Sequence, residues 1–523
     1  MLVVPNRKAL VLALGNPKMV TACIPTAKQF EMHGRQLVAV PHRLDETRVL
    51  RNLGINAPSP ILYHYDWPGL HVPFDVQRAT AAFATLYLRG YILNDIGTGK
   101  TLSALWAIDY LRKLGAIRSV LVIAPLSTLR GVWSDEVEMN LPDLKPVILH
   151  GDKNKRRKLL AQKADVYIIN HDGVHVILDD LIKRDDIDLV IIDELAQVAR
   201  NSSTRRWKSL DKLINRKDRI VPAIGMTGTP RPKSPMDAWA QIRLLTKSNV
   251  PPYRNRWREM TMRQVTKFKW VAREGANEVI ARAMQPAIRF ERKDCVDIPA
   301  RMYAYREAGM SIEQLRLFKD MQEKLKAEAE RGEIHAANSA VKLGKLLQIA
   351  CGVAYSTTGE ELCFGSPARI EVLQELIDSA AGKVIVYVPY VSAVRYVAES
   401  LRAAGYGVGV VYGEVSAKQR DKVFAAFKTD DNMDVLVAQP AAMSHGLTLV
   451  VANTVVWFAP ITSNDIFDQA NGRVTRPGQR NEQYVIMLYG SGMEKRRFKI
   501  LQDQGAEQDE LLLAIRETDL LRA

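Results

Sequence analysis

Cysteine is scarce in this sequence, and long apolar runs are missing from it. The 523 residues include four cysteines, at positions 23, 295, 351 and 363, and no two of them form a C-x-x-C pair. Because their spacing resembles no zinc site, we expect a reducing compartment and no structural metal. No apolar stretch approaches the roughly 18–20 residues of a membrane span, so we expect no membrane partner. The run ALVLAL at 9–14 is too short for a signal peptide and predicts a first β-strand.

Acidic residues are outnumbered by basic ones. The chain has 73 Lys and Arg against 58 Asp and Glu, a formal net charge of +15. Such an excess indicates a polyanionic partner, most simply nucleic acid, although a generic basic surface would show the same total.

Short apolar runs alternate with helical patterns along most of the chain. After a helix over 76–89 and a run at 91–94, apolar runs occur at 119–125, 165–170, 188–194, 223–228, 383–389, 407–413, 434–440, 454–460 and 483–490. Continuous apolar strands separated by helices are typical of parallel sheets buried on both faces. The pattern predicts an α/β fold with two parallel-sheet lobes.

Between 236 and 350 the alternation stops, and the pattern becomes helical and basic. Residues 254–293 alone hold eleven Lys or Arg against four Glu. We therefore expect a helical, basic insertion between the lobes that grips nucleic-acid phosphates. The basic residues expected to contact the polymer are Arg254, Arg256, Arg258, Lys267 and Lys269.

A glycine-rich loop lies between the run YILND and a helical pattern, in the sequence DIGTGKT at 95–101. A tight loop before a helix N-terminus presents backbone N–H groups and the positive end of the helix dipole, which suit a phosphate. Gly97, Thr98 and Gly99 would let the backbone approach, Lys100 would reach the outer phosphates, and Thr101 would ligate Mg²⁺. The full eight-residue phosphate-loop pattern wants glycine at 94, where this chain has Asn94.

Two further groups of charged residues suit nucleotide hydrolysis. The apolar run VIIDE ends in Asp193, which can hold Mg²⁺ through water, and Glu194, which can deprotonate the attacking water. In DQANGRVTRPGQ, Arg473 and Arg476 stand three residues apart, on one helical face if this segment is helical. They could neutralise charge on the γ-phosphate, or they could belong to a salt-bridged surface helix.

In the order of these motifs, the chain resembles the superfamily-two helicases, and more narrowly the Swi/Snf-type DNA translocases. The resemblance covers residues 74–490 and rests on FDVQ, DIGTGKT, VIAPLSTLRGVW, IINHDGV, DELA, GMTGTP, YVPYVSAV, YGEVSAKQRDKVFAAF, SHGLTLVVA and QANGRVTRPGQ. The segments AIRFERKD (287–294) and KLLQIACGVAY (345–355) also resemble family segments.

The resemblance implies two RecA-like lobes that close on ATP and Mg²⁺ and thereby move along a nucleic-acid backbone. It implies that Gln77 reads the adenine, and that Gly446 and Gln469 also bind the nucleotide. The motifs that would touch the polymer contribute Pro125, Ser127, Thr229 and Thr448.

Two motifs depart from the family pattern. Motif II reads DELA, so Ala196 cannot make the polar coupling to motif III that a histidine makes, and the link between hydrolysis and DNA is less certain. Motif V lacks the usual paired glycines before Gly446. These variants and the compact length suggest a phage-encoded member that works in bacterial or infected-host cytoplasm.

The resemblance and the composition together predict five segments. These are an N-terminal accessory domain (1–73), lobe 1 with the ATP site (74–235), a mostly helical basic insertion (236–365), lobe 2 (366–490) and a C-terminal helical segment (491–523). The N-terminal part faintly resembles the small DNA-binding modules of annealing and branch-migrating helicases, and a structural cap on lobe 1 is the alternative.

We expect a monomeric ATP-dependent translocase that moves on double-stranded DNA and remodels forks or branched DNA in repair or recombination. Two alternatives stay open: a strand-separating DNA or RNA helicase, and a nucleotide-gated nucleic-acid-binding module with little turnover. The presence of Lys100, Asp193, Glu194, Arg473 and Arg476 argues against the binding module.

Overall fold

The computed structural model describes residues 1–228, 230, 234–266, 269–291, 294, 301–330, 344–355, 361–443, 448–476, 479 and 481–503. The chain divides into two units, with residues 1–295 in the first and residues 296–507 in the second. Each unit is described by itself below.

A small antiparallel sheet begins the first unit. Its strands are β1 (Leu2–Val4), β2 (Ala9–Ala13), β3 (Lys28–Met32) and β4 (Arg35–Pro41), in the spatial order β1-β2-β4-β3, and helices α1 (Pro17–Cys23) and α2 (Leu44–Asn52) accompany it. Alternate residues of β2 and β4, such as Leu10 and Val38, pack with Val20 of α1 and Leu50 of α2 in a core of their own. The guanidinium of Arg48 donates to the carbonyls of Thr85 and Leu86, which ties this subdomain to the helix Asp75–Leu86.

Most of the first unit is built on a parallel sheet. Its further strands are β5 (Arg89–Ile92), β6 (Ser119–Ala124), β7 (Pro146–Ile148), β8 (Val166–Asn170), β9 (Ile187–Asp193), β10 (Ala223–Met226), β11 (Met262–Thr266), β12 (Lys269–Ala272) and β13 (Ala287–Ile288). In the described residues seven of them form one sheet in the order β13-β5-β10-β9-β6-β8-β7, every pair parallel, while β11 and β12 form an antiparallel pair.

Helices cover both faces of that sheet. They are α3 (Ile61–His64), α4 (Asp75–Leu86), α5 (Lys100–Lys113), α6 (Asp135–Asn140), α7 (Lys153–Leu160), α8 (Gly173–Val176), α9 (Leu178–Ile182), α10 (Leu195–Val198), α11 (Arg205–Ile214), α12 (Pro235–Leu245), α13 (Arg254–Thr261) and α14 (Ala276–Ala283). Successive residues of β6 point to opposite faces, so Leu121 and Ile123 pack in one apolar cluster and Val120 and Val122 in the other. Burial on both faces explains why these strands are continuous apolar runs.

The second unit repeats this design. Its strands are β14 (Arg301–Glu307), β15 (Val353–Tyr355), β16 (Glu361–Cys363), β17 (Lys383–Tyr387), β18 (Val408–Val411), β19 (Val435–Ala438), β20 (Ala452–Trp457) and β21 (Gln483–Tyr489). Six of the strands in the described part of this unit form a parallel sheet in the order β14-β21-β20-β17-β19-β18, and β15 pairs antiparallel with β16.

The helices of the second unit are α15 (Ile312–Glu330), α16 (Pro367–Asp378), α17 (Val391–Ala403), α18 (Ala417–Thr429) and α19 (Asn464–Asn471), with further helical residues at 344–350 and 492–503. Apolar clusters again lie on both sides of the sheet, so that Ile385 belongs to one and Val384 and Val386 to the other. The predicted α/β fold with two parallel sheets is confirmed.

The region 236–365, expected to be a mostly helical insertion, is shared between the two units. Helices α12 to α14 pack in the first unit, where β13 also joins the sheet beside β5. Strand β14 lies in the second unit and pairs with β21 over seven residues. Both sheets thus gain a strand from a region in which the sequence pattern predicts none. Within the described residues, none of the helices has the length and apolar character needed to cross a bilayer.

Candidate nucleotide-binding and hydrolysis site

The glycine loop connects β5 to α5 at the carboxyl end of the strands of the seven-stranded parallel sheet. Gly97 has a φ of +90° and Gly99 a φ of +76°, both in the left-handed region that side-chain-bearing residues avoid. Gly99 is also the N-cap of α5, so the loop delivers backbone N–H groups at the start of a helix of 14 residues. This geometry fits a phosphate group.

Gln77 lies directly against this loop. It belongs to the first turn of α4, its side chain is buried, and its Oε1 accepts from the N–H of Phe74 at 2.9 Å. A Cβ on Gly99 would stand 2.0 Å from Gln77 Nε2. The predicted adenine-reading residue and the predicted phosphate loop are therefore in contact, and only glycine allows that contact.

The side chains of Lys100 and Thr98 donate hydrogen bonds to the backbone at the beginning of the glycine loop. The Nζ of Lys100 donates to the carbonyls of Asn94 and Asp95 at 2.8 and 2.9 Å, and the Thr98 hydroxyl donates to the Asp95 carbonyl at 2.9 Å. Burial lowers the pKa of Lys100, while the negative charges of Glu194, Asp193 and Asp95 oppose that shift. Thr101 is half-buried in the first turn of α5.

Asn94 occupies the position where the full phosphate-loop pattern has glycine. Its side chain is buried, its Nδ2 donates to the Thr80 hydroxyl at 2.8 Å, and its Oδ1 accepts from the Phe290 N–H at 3.0 Å. The amide therefore joins α4 to the residues after β13, and this structural use accounts for the departure.

Asp193 and Glu194 come at the carboxyl end of β9, next to the loop. The strand register places Asp193 beside Met226 and Met226 beside Ile92, so β9 and β5 are separated by β10 alone, roughly 10 Å. Glu194 has a φ of +52°, which is uncommon for a residue with a side chain, and such strained backbone is found most often at functional sites.

Hydrogen bonds hold Asp193 in place. Its Oδ1 accepts from the Glu194 N–H at 3.1 Å, and its Oδ2 accepts from the Trp133 indole N–H at 3.0 Å. Burial raises the pKa of the Asp193 carboxyl, against the opposing effects of the Trp133 hydrogen bond and the Lys100 charge. The hydroxyl of Thr101 and this carboxylate are oxygen ligands of the kind that Mg²⁺ prefers, so the residues present fit ATP with Mg²⁺.

His171 supports the same strand end from the neighbouring strand. It follows β8, and its Nε2 donates to the Asp193 carbonyl at 2.8 Å. Burial lowers the pKa of His171 to about 4, so the imidazole is neutral at pH 7. Ala196, which replaces the expected polar residue of motif II, is buried and contributes only a methyl group.

Arg289 is a residue of the site that motif reasoning did not single out. It is buried, its Nη2 pairs with Asp95 Oδ1 at 2.7 Å, and its Nη1 donates to the Phe290 carbonyl at 2.6 Å. Trp133 and His171 were likewise missed as site residues. All three lie inside the segments AIRFERKD, VIAPLSTLRGVW and IINHDGV, but their partners are far away in the sequence and local spacing does not identify them.

The remaining predicted hydrolysis residues lie in the second unit. Helix α19 ends at Asn471, so Arg473 and Arg476 follow the helix and do not share a helical face as the spacing had suggested. Arg473 is only 2% exposed, which excludes a surface helix as its setting, and Arg476 is half-buried. Between them, Thr475 Oγ1 accepts from Arg301 Nη2 at 2.6 Å, which fixes this turn to β14. Gln469 is half-buried on α19, and Gly446 lies outside the described residues.

The predicted polymer contacts differ in exposure. Pro125, directly after β6, is buried; Ser127 is exposed; and Thr448 is half-buried. Thr229 and Lys267 lie outside the described residues, and Lys269 is described only as backbone of β12.

Helix α13 carries the three arginines of the basic region. Arg254 and Arg256 are exposed, as a phosphate contact requires. Arg258 is different, because its guanidinium lies 4.5 Å from the centre of the Trp270 ring and so packs against the β11–β12 hairpin.

Two protein-family models match this chain, and together they cover the candidate site residues in both units. A family model described as the SNF2-related domain matches residues 77–352, just over half of the chain. The chain belongs to the SNF2-related family. A second model, the helicase conserved C-terminal domain, matches residues 368–478. The SNF2-related match contains Lys100, Asp193 and Glu194, and the helicase match contains Arg473 and Arg476, so this SNF2-related chain carries both parts of a helicase-type ATPase core.

Individual relatives of this SNF2-related chain are distant. An uncharacterized ATP-dependent helicase of Mycoplasma pneumoniae is 21% identical over 430 residues, which are 81% of this chain and 40% of that protein. Putative protein p41 of Acyrthosiphon pisum secondary endosymbiont phage 1 is 23% identical over 77% of this chain and 88% of its own length. The ISWI chromatin-remodeling complex ATPase CHR11 of Arabidopsis thaliana is 23% identical over 76% of this chain and 38% of its own. The match thus spans about two fifths of the cellular relatives and most of the phage protein.

Among solved structures, the SWI2/SNF2 ATPase core of Sulfolobus solfataricus in complex with dsDNA aligns with 87% of this chain and 95% of its own. The sequence identity is 21% and the TM-score is 0.42.

Proposed function

We propose that this protein is an ATP-driven translocase that moves on double-stranded DNA and remodels forks or branches. The observation that carries the proposal is that the glycine loop with Lys100 and the pair Asp193 and Glu194 follow β5 and β9 at the carboxyl end of one parallel sheet, in an SNF2-related chain. The chain's +15 charge supports a polyanionic track.

The residues of the site have distinct roles in this proposal. The N–H groups at the start of α5 and Lys100 bind the phosphates, Gln77 contacts the base, and Thr101 and Asp193 would hold Mg²⁺. The metal supplies charge neutralisation at the phosphates. Glu194 accepts the proton of the attacking water. Arg473 and Arg476 supply positive charge to the transition state.

The choice of double-stranded DNA rests on the relatives and on the exposed charge. Several relatives are chromatin-remodeling ATPases or are named as ATP-dependent helicases and translocases. Exposed Arg254 and Arg256 offer contacts to a phosphate backbone, as does Ser127. Phosphate contacts carry no sequence information, so the track should be largely sequence-indifferent. The phage relative, matched over most of its length, supports a phage-encoded protein acting in an infected bacterial cell.

An ATPase assay with a panel of polymers tests this proposal. We expect a low rate without nucleic acid and strong stimulation by double-stranded DNA of any sequence. Greater stimulation by RNA would favour the RNA helicase. Binding of nucleic acid that depends on ATP but not on turnover would favour the nucleotide-gated binding module.

Charge reversal on α13 tests the contact surface separately. Each phosphate contact adds about −0.9 to the slope of log affinity against log salt, so Arg254→Glu with Arg256→Glu should flatten the slope by about 1.8. The control is Lys145→Glu with Lys163→Glu. These lysines are exposed and lie just before β7 and β8, at the amino ends of these strands. The glycine loop and Asp193 lie at the opposite, carboxyl ends of the strands of the same sheet. Equal effects of the two double variants on DNA affinity would remove α13 from the contact surface.

A further inference from the structure

A short irregular helical segment links the predicted polymer contacts to the hydrolysis site. Residues Leu126–Thr128 form one 3₁₀ turn, and Leu129–Ser134 form a π-helix. We propose that this segment, residues 126–134, couples DNA binding to ATP hydrolysis through the hydrogen bond from Trp133 to Asp193. The inference rests on the proposed function and adds a route by which the DNA acts on the site.

The inner side of the segment is fixed. Trp133 is fully buried among the apolar residues between the sheet and its helices, together with Leu129 and Val137. Its indole N–H donates to Asp193 Oδ2 at 3.0 Å. A bulky ring held on all sides moves with its backbone, so a shift of the segment moves the donor of this bond.

The outer side of the segment is exposed to solvent. Leu126, Ser127 and Arg130 are exposed, and Arg130 pairs with the neighbouring acids Asp135 and Glu138 at the surface. Exposed and buried side chains thus follow one another within nine residues, across the 3₁₀ turn and the π-helix. Single π-helical turns are rare and occur frequently at functional sites.

Trp133 is one of three groups that hydrogen-bond Asp193 in the described part of the chain. In the described residues the Asp193 carboxylate accepts from Trp133 and from the Glu194 N–H, while His171 binds the Asp193 carbonyl. The bond from the Glu194 N–H joins two adjacent residues at the end of β9, and His171 bonds the backbone carbonyl of Asp193, not its carboxylate. Trp133 alone among these three stands in the segment that carries Ser127. Since the side chain of Ala196 has no polar atom, the bond from Trp133 to Asp193 gives motif II a polar connection that position 196 does not provide.

The position of a metal-binding carboxylate matters steeply for hydrolysis. A misplacement of about 1 Å in a catalytic constellation can cost roughly 10²-fold in rate. DNA seated against residues 126–130 would fix the segment and hence the carboxylate. Removing the indole N–H should uncouple the two events without removing either binding site.

Trp133→Phe is the first test, because it keeps an aromatic ring and removes the donor. Replacing Trp133 by benzothienylalanine is the second, because this amino acid keeps the full ring shape and lacks the N–H. The matched control is Trp239→Phe. Trp239 is buried, and its N–H donates at the same distance, 3.0 Å, to the carbonyl of Pro251, which is not a residue of the candidate site.

The measured quantity is the ratio of the DNA-stimulated to the basal ATPase rate, with ATP and DNA affinities determined alongside. We expect both Trp133 variants to lower this ratio by about 10-fold or more while both affinities are retained, and Trp239→Phe to leave the ratio unchanged. If basal and stimulated rates fall equally, Trp133 merely positions Asp193 and the coupling is refuted, as it is if the ratio stays at the wild-type value. Wild-type protein that DNA fails to stimulate would instead refute the proposed function.

Discussion

Adding a methyl group to Gly99 perturbs the contact between the phosphate loop and Gln77. Gly99 has a φ of +76°, where a residue with a side chain costs about 1–2 kcal/mol. The new Cβ would also lie 2.0 Å from Gln77 Nε2 and 3.0 Å from Gln77 Cδ. Atoms cannot approach so closely, so Gly99→Ala must displace the Gln77 side chain in addition to straining the backbone.

The other end of the same helix provides the control. Gly115 follows α5 with a φ of +69°, and a Cβ there would meet nothing within 4 Å. Gly115→Ala therefore introduces the backbone strain without the clash. Both variants should lower the free energy of unfolding by about 1–2 kcal/mol for the strain, and any further loss in Gly99→Ala measures the displacement of Gln77.

Binding of a fluorescent ATP analogue separates the two variants functionally. If Gln77 bonds the base, its displacement removes a hydrogen bond of about 1–1.5 kcal/mol, which is roughly a tenfold loss of affinity. Gly115→Ala should bind normally. In Gln77→Ala protein, Gly99→Ala should cost little additional affinity, because no side chain is left to displace. Equal nucleotide affinity of Gly99→Ala and Gly115→Ala would refute the assignment of Gln77.

Three further variants address the chemistry. Lys100→Ala should abolish ATP turnover and keep the fold, since the bonds that Lys100 makes are to the carbonyls of Asn94 and Asp95 in its own loop; near-normal turnover in a steady-state assay would overturn the phosphate-loop assignment. Glu194→Gln should bind ATP and Mg²⁺ but hydrolyse about 10²–10⁴-fold more slowly, and failure to bind nucleotide in a titration would make Glu194 structural. Arg473→Ala and Arg476→Ala should each lower kcat by about 10³-fold or more with little change in ATP affinity; if both hydrolyse ATP normally, the two arginines only support the fold.

The strands buried on both faces could be predicted from the sequence, and the edge strands could not. The runs at 119–125 and 383–389 are apolar after their first residues, Ser119 and Lys383, because each strand has apolar clusters on both faces, and both form strands where expected. β14 reads RMYAYRE and is largely exposed at the edge of its sheet, so it lacks the continuous apolar signal. β13 has only two residues, too few for any periodicity.

The position of the glycine loop at the start of a helix could be predicted from the sequence, and the residues that support the candidate site could not. Gly97, Gly99 and Lys100 form a local pattern whose chemistry dictates the spacing, and the structure places them in a loop at the start of a helix. Trp133 and Arg289 act through partners 60 and 194 positions away in the sequence, at Asp193 and Asp95. Such pairs depend on which strands become neighbours, and a single sequence does not encode that in its spacing.

Triplex displacement tests the central claim, movement along double-stranded DNA, most directly. A third strand bound to a duplex is removed by a motor that moves along that duplex without separating it. We predict ATP-dependent displacement by the wild-type protein, none by Glu194→Gln, and no separation of the duplex strands. Separation of a forked duplex without displacement of the third strand would contradict the account and identify a strand-separating helicase.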